Sequence, residues 1–374
     1  MYCIHRLNPQ PSLGVRQRQL WVDSGLLQQF SSPRNRAQGI PTRTETVGAT
    51  LRSTQTKASD EIRWRTLNAD PYPMLVIAAP SNLGLSPLKP GHEPGTWRAP
   101  AALVAAGLLQ ALNPRDFKAL PRPNYSTEAQ PGTRLRNGHT IRSFNIALAN
   151  LVSEASRQGD FALVIGGDCS ILLGALAGVR DAGPISLIHI DGHSDFRHPG
   201  NYDPTQSLGA VAGMDLALAT GRGEPLATEW PGIAGPLVAD ADVIQLGERE
   251  NRDYDFAWPD VNSTAINRVD VFEALRIGAT AVVGRIREVL ARKPNQGYWI
   301  HLDIDVLDQT LMPAVDSPGS PGIPPDDLLI IIASLVASPL CKGMTVTVFD
   351  PDLDPDGCLA STIVNLLAKL PFPR

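Results

Sequence analysis

Three stretches of the 374-residue chain join apolar runs to residues that bind cations or move protons: Leu163-Val-Ile-Gly-Gly-Asp-Cys-Ser170, Leu187-Ile-His-Ile-Asp-Gly-His-Ser-Asp-Phe196 and Ile300-His-Leu-Asp-Ile-Asp-Val-Leu-Asp308. The sharpest pattern within them is Asp191-x-His193-x-Asp195. Composition alone yields roughly 0.04 such matches in a chain of this kind. Side chains of an extended segment repeat every two residues, so these three are expected on one side. Asp303-x-Asp305 extends the argument, although Asp-x-Asp-x-x-Asp is weaker at roughly 0.14 chance matches. Asp191, His193, Asp195, Asp303 and Asp305 would repel and desolvate one another unless cations sat among them. A pair of divalent ions would neutralise the set. Carboxylate and imidazole donors suit Mn²⁺, with Zn²⁺, Fe²⁺, Co²⁺ and Ni²⁺ also compatible. Blander readings apply nearby: Asp168 serving the amides of a tight turn, Asp308 capping a turn, and His189 and His301 supporting the site from inside strands.

Such a site needs elements that converge. Met74–Ala79, Phe161–Ile165, Ile185–Ile190, Val243–Leu246, Tyr298–Ile304 and Met344–Phe349 read as short buried strands. Helices are expected from Ala99, with Pro100 in the first turn, and over 139–158, 171–179, 206–220, 272–292, 325–337 and 358–369. Apolar strands alternating with helices predict an α/β fold, a parallel sheet covered on both faces, with ligands at the carboxyl ends of the strands.

Composition narrows the classes. The chain has 33 Lys+Arg against 38 Asp+Glu, a net charge of −5, and is 43% hydrophobic. That is ordinary for a globular protein and disfavours nucleic acid as the main partner. No apolar stretch reaches the length of about eighteen residues that spans a bilayer. Cys3, Cys169, Cys341 and Cys358 form no C-x-x-C pair, which fits a reducing compartment such as the cytoplasm. Residues 1–60 hold eight basic and three acidic groups, +5, leaving −10 for the remainder. Residues 1–72 therefore read as a poorly ordered extension, with an organelle transit segment or a misplaced start as alternatives. Residues 73–374 read as one catalytic domain.

The motifs resemble the ureohydrolase family of arginases, agmatinases and formiminoglutamases. Its Gly-Gly-Asp-His-Ser, Asp-Ala-His-x-Asp and Ser-x-Asp-x-Asp-x-x-Asp-Pro appear here as Gly166-Gly-Asp-Cys-Ser170, Asp191-Gly-His-Ser-Asp195 and His301-Leu-Asp-Ile-Asp-Val-Leu-Asp-Gln309. The resemblance implies a three-layer α-β-α fold with an eight-stranded, mainly parallel sheet, and a homo-oligomer acting on a small molecule. It also implies two Mn²⁺ ions that activate water against a guanidinium carbon. Asp191 and Asp303 would then bridge both ions, His193 and Asp305 would bind one, and Asp195 the other. The sixth ligand, a His in the family, is Cys169. A thiolate there would shift preference toward Zn²⁺ or Fe²⁺, and a neutral thiol would leave one ion weak or absent.

Two further departures concern the substrate. Ala212 stands where the family has a proton-shuttling His, and Val348 where it has a Glu that pairs with the guanidinium; Asp350 or Asp352 is a possible substitute. Catalytic candidates are Asp305, which could hold the attacking water, His198 as a substitute proton donor, and Glu248 facing a cationic substrate. Alternatives for His198 and Glu248 are a solvated loop residue and a surface ion pair with Arg249 or Arg252. The leading expectation is a metal-dependent hydrolase of a guanidino- or formimino-type C–N bond. Its rivals are a single-Zn²⁺, deacetylase-like amidohydrolase using Asp191, His193 and Asp303, and a non-catalytic metal-binding protein.

Overall fold

The computed structural model describes residues 72–250 and 259–372. The reading of residues 1–72 as an extension thus lies, Tyr72 apart, outside the described residues. Eight strands form one sheet: β1 Tyr72–Ala79, β2 Pro114–Ala119, β3 Phe161–Gly166, β4 Ile185–Ile190, β5 Val243–Leu246, β6 Asn267–Val269, β7 Gly297–Asp303 and β8 Cys341–Thr347. Their order is β2-β1-β3-β8-β7-β4-β5-β6, and every pairing is parallel. The expected parallel sheet is therefore present.

Alternation along the strands divides the core into two layers. Met74, Val76, Leu163, Ile165, Ile300 and Leu302 face one cluster, joined by residues of helices Ala99–Ala105, Ala279–Leu290, Pro325–Val336 and Cys358–Ala368. Leu75, Ile77, Ala162, Val164 and Trp299 face the other, with helices Gly138–Gln158, Leu172–Val179 and Asp215–Ala219. Each fully buried Val, Leu or Ile contributes about 1.5–3 kcal/mol, which is what holds helices on both faces of an all-parallel sheet.

Several elements differ from expectation. β2 and β6 carried no apolar signal: β2 is mostly exposed, and β6 has three residues at the opposite edge. The single helix expected over 272–292 is two, Val271–Ile277 and Ala279–Leu290, broken at Gly278 with φ 79°. Gly107, at φ 94°, likewise splits Ala99–Ala105 from Leu108–Leu112. Glycine adopts this left-handed backbone without steric penalty, so it ends helices that apolar spacing alone would continue. Of the helix expected over 206–220, only Asp215–Ala219 is α-helical, preceded by a 3₁₀ turn at Val211–Met214. No helix among the described residues is long and apolar enough to cross a membrane.

Candidate metal centre

The central strands β3, β8, β7 and β4 end together, and the motif residues lie at those ends. Asp191 follows β4 directly, Asp303 closes β7, and Cys169 opens a 3₁₀ turn three residues after β3. The turn is fixed by Asp168, whose Oδ1 accepts from the Ser170 amide at 2.9 Å and whose Oδ2 accepts from Ser81 Oγ at 2.7 Å. The Asp168 reading as a turn residue therefore holds. So does that of Asp308, which accepts from the Thr310 amide and hydroxyl at 3.0 and 2.7 Å.

Asp191-Gly-His-Ser-Asp195 does not continue as a strand. The chain bends after Ile190 and Asp195 takes a left-handed backbone, φ 45°. The side chains converge all the same, through the bend and not through two-residue alternation. Asp191 is fully buried; donor atoms of Asp191, His193 and Asp305 lie within 4.8 Å of one another, as do those of His189, Asp191 and Asp195. His193 Nδ1 stands 2.9 Å from Asp305 Oδ2, and 22% of the His193 side chain is exposed, the solvent-facing part of the group.

Cys169 sits at the bottom, 1% exposed, with its Sγ donating to Asp303 Oδ2 at 2.9 Å and 3.2 Å from Thr347 Oγ1. Burial, then the Asp303 carboxylate, push this thiol well above its usual range. Asp303 is also pushed well up, by burial and then by Asp305 and Asp191; its Oδ1 accepts from the Asp305 amide at 2.8 Å. Asp195 rises likewise through burial, Asp191 and Asp215. Asp305 moves the other way: burial disfavours its charge, but His193 and then Arg249 outweigh burial and lower it. Burial opposes charge on His193 too, yet Asp305 and Asp191 hold it well above the usual imidazole range.

The remaining candidates are engaged elsewhere. His198 Nε2 lies 2.6 Å from Asp260 Oδ2 while its Nδ1 accepts from the Gly200 amide at 3.1 Å, and neither partner belongs to the cluster. Glu248 is 1% exposed and pairs with Arg268 at 2.5 Å, a partner that sequence reasoning did not name. Arg252 lies outside the described residues. Asp350 accepts from the Gly95 and Asp352 amides, and Asp352 pairs with Arg98, so both aspartates serve the chain itself. Ala212 is buried in its 3₁₀ turn. Val348, at the end of β8, has φ 59°, an outlier for a β-branched residue and a local strain of about 1–3 kcal/mol.

His189 and His301 lie buried inside β4 and β7, as their reading as supporting residues expected, whereas Asp215 and Arg249 were not read as part of the centre. His189, Asp215 and His301 form a fully buried group beneath Asp191. Strand alternation places the two histidines on the side of Asp191 and Asp303, but nothing local pointed to Asp215. Arg249 donates from Nη2 to the Asp305 carbonyl at 2.5 Å. It fits because position 192 is glycine: a Cβ there would lie 2.2 Å from Arg249 Nη2 and 2.8 Å from Asp305 Oδ1. The Asp-Gly-His spelling is thus the space that Arg249 occupies.

Comparison with known proteins agrees with this geometry. The pattern that defines the Arginase family matches residues 74–371. The arginase of Bacillus caldovelox is 27% identical over 305 residues, covering 80% of this chain and 97% of the relative. That of Brevibacillus brevis is 29% identical, covering 79% and 97%. The B. caldovelox arginase crystal structure superposes with a TM-score of 0.68 at 26% identity, over 80% of this chain and 98% of that one. A hypothetical agmatinase from Burkholderia thailandensis shares the fold, with a TM-score of 0.58 at 20% identity over 80% and 85% of the two chains. The chain belongs to the arginase family, whose members are binuclear metal-dependent hydrolases of guanidino carbon–nitrogen bonds.

Proposed function

We propose that the chain hydrolyses a C–N bond of a linear guanidino- or formimino-type small molecule, using two divalent cations held where β3, β4 and β7 end. The observation that carries this is Asp191. Its carboxylate is fully buried and its Oδ2 has no hydrogen-bond partner, yet it is common to the His193–Asp305 group, the His189–Asp195 group and the Cys169–His301 group. An unsatisfied buried carboxylate oxygen costs on the order of 1–3 kcal/mol or more, a cost that a bound cation removes. The donor set, mostly carboxylate and imidazole, fits divalent ions, with Mn²⁺ the first candidate for the solvent-facing position.

In this reading His193 and Asp305 hold the outer ion, Cys169 and Asp195 the inner, and Asp191 and Asp303 contact both. Cations so bound lower the pKa of water and polarise the electrophile. The chain's own groups orient and move protons. Asp305, fixed by the Gly192 amide at 3.0 Å and by His193, is the carboxylate available to accept a proton near the outer position. His193, reachable from solvent, marks the side on which substrate arrives. His198 and Glu248 enter the proposal as residues that shape the surrounding loops, given their Asp260 and Arg268 partners. The proposal also keeps the chain a cytoplasmic homo-oligomer with no nucleic-acid or membrane partner, which sedimentation of the purified chain checks in its oligomeric part.

Elemental analysis of protein purified without added metal, followed by urea and ammonia release from guanidino, formimino and amide compounds, tests the whole. Close to two ions per chain, with turnover abolished by Asp303→Ala, is the expected result. One Zn²⁺ per chain would favour the deacetylase-like reading instead, and no turnover of any compound would favour a non-catalytic protein.

A further inference from the structure

His189, Asp215 and His301 are left without a role by the ligand set just described. All three are fully buried. His189 and His301 are register partners across β4 and β7, with rings stacked at 5.0 Å. Each faces the same way as the aspartate two residues on, Asp191 or Asp303. Asp215, the first residue of helix Asp215–Ala219, closes the group: its Oδ1 lies 3.1 Å from His189 Nε2 and its Oδ2 3.4 Å from His301 Nε2.

Hydrogen bonding accounts for only part of this packing: His189 Nε2 bonds Asp215 Oδ1, and His301 Nδ1 lies 2.7 Å from Thr345 Oγ1. His301 Nε2, Asp215 Oδ2, His189 Nδ1 and Asp191 Oδ2 are all buried without a hydrogen-bond partner. Buried polar atoms are nearly always paired, so four exceptions in one place call for an acceptor of lone pairs. Donor separations supply the second observation. Cys169 with Asp191 and His301, Cys169 with Asp195 and Asp215, and His189 with Asp191 and Asp195 each lie within 4.8 Å of one another. Two donors on one ion, each at about 2.0–2.3 Å, stand roughly 3.3–3.8 Å apart in a tetrahedral site and about 4.6 Å apart at most, so donors held within 4.8 Å close by up to about 1.5 Å.

We propose that the inner cation position is a mixed sulfur, nitrogen and oxygen site, in which His189, Asp215 and His301 join Cys169, Asp191 and Asp195 and take the place given above to Asp303, which none of these donor groups contains. It selects a borderline ion such as Zn²⁺, Co²⁺ or Ni²⁺, while the outer position of Asp191, His193 and Asp305 keeps the harder Mn²⁺. The imidazole ligand absent at position 169 is in effect supplied from β4 and β7. Binding releases the Cys169 thiol proton to solvent and forms one sulfur–metal bond. This rests on the two-ion reading above for the existence of an inner ion, but not on turnover.

The test loads the full-length chain with one equivalent of Zn²⁺ and a large excess of Mn²⁺, removes free metal and measures both elements; a second sample is loaded with Co²⁺ and scanned for thiolate-to-cobalt charge transfer. One Mn²⁺ and one Zn²⁺ per chain are expected, with a charge-transfer band that Cys169→Ser removes. His189→Asn combined with His301→Asn weakens the inner ion by at least about 100-fold, since loss of a supporting residue alone typically costs about 10–100-fold. His193→Asn removes the outer ion and leaves the band. Two Mn²⁺ from the mixture, or a band-free cobalt protein, would overturn the inference without any variant having to fold. So would a folded double variant that binds Zn²⁺ as tightly as the parent, which would make the three residues a hydrogen-bonded part of the core. Absence of turnover alongside the mixed metal content would overturn only the proposed reaction; turnover with two Mn²⁺ would overturn only this inference.

Discussion

Gly192→Ala is expected to disable the outer half of the site through one atom. A Cβ at 192 would meet Arg249 Nη2 at 2.2 Å, where contacts under 3.0 Å are essentially never seen, so the guanidinium must retreat by at least 3.0 − 2.2 = 0.8 Å. Gly319 lines another side of the same guanidinium: a Cβ there would lie 2.5 Å from Arg249 Nη1, so Arg249 is seated between two positions that both need glycine. The displacement breaks the 2.5 Å bond from Arg249 Nη2 to the Asp305 carbonyl and disturbs Asp305 Oδ1, which accepts from the Gly192 amide at 3.0 Å. A hydrogen bond involving a charged group contributes about 1.5–3 kcal/mol, so outer-ion affinity should fall about 10–100-fold. Metal titration followed by thermal midpoint gives that affinity, and initial rates of urea or ammonia release give turnover, for which a shift of about 1 Å can cost 10²-fold. The diagnostic is a double-mutant cycle with Arg249→Ala. If the clash is with the guanidinium, the double variant should be no worse than Arg249→Ala alone. Additive losses, or a Gly192→Ala protein with parental metal affinity, would refute the reasoning.

Other expectations are independent of that cycle. Chelation should lower the thermal midpoint and re-addition of metal restore it, because a ligand at about 100 times its Kd stabilises by about 2.7 kcal/mol; an unchanged midpoint would argue against bound cations. Cys169→His should raise the retained Mn²⁺:Zn²⁺ ratio measured after mixed loading, at about 1–3 kcal/mol of stability lost to overpacking beside Thr347. Burial, little relieved by Ser317, lifts Asp316 to about 6. Its folded pKa thus exceeds the unfolded value of about 3.9, so stability from the neutral form is complete below that value and lost as pH rises through about 6. In chelator-treated protein, Asp316→Asn should therefore gain on the parent by about 2 kcal/mol between pH 4.5 and pH 8 in urea unfolding; a gap independent of pH would contradict this. His198→Ala should lower stability through loss of the Asp260 contact and leave metal content unchanged. Lost turnover at parental stability would instead make His198 the proton donor.

The sequence by itself determined the sheet's interior and the residues gathered at its edge. β4 and β5 have the expected limits because buried parallel strands are largely apolar runs, and Asp191 follows β4 directly. Edge strands β2 and β6 escaped notice because one is exposed and the other three residues long, so neither carries an apolar pattern. Only the tertiary structure decided what surrounds the motifs. Asp215 comes from the start of a helix 24 positions beyond Asp191, Arg249 from the segment after β5 and Thr347 from β8, and chain packing alone sets those meetings. It also decided the partners of His198 and Glu248, since Asp260 and Arg268 reach them from segments with no motif of their own. Spacing along a chain fixes which side chains share a face; which groups from distant strands crowd against them depends on strand order and turn geometry, and those follow from burial of the whole core.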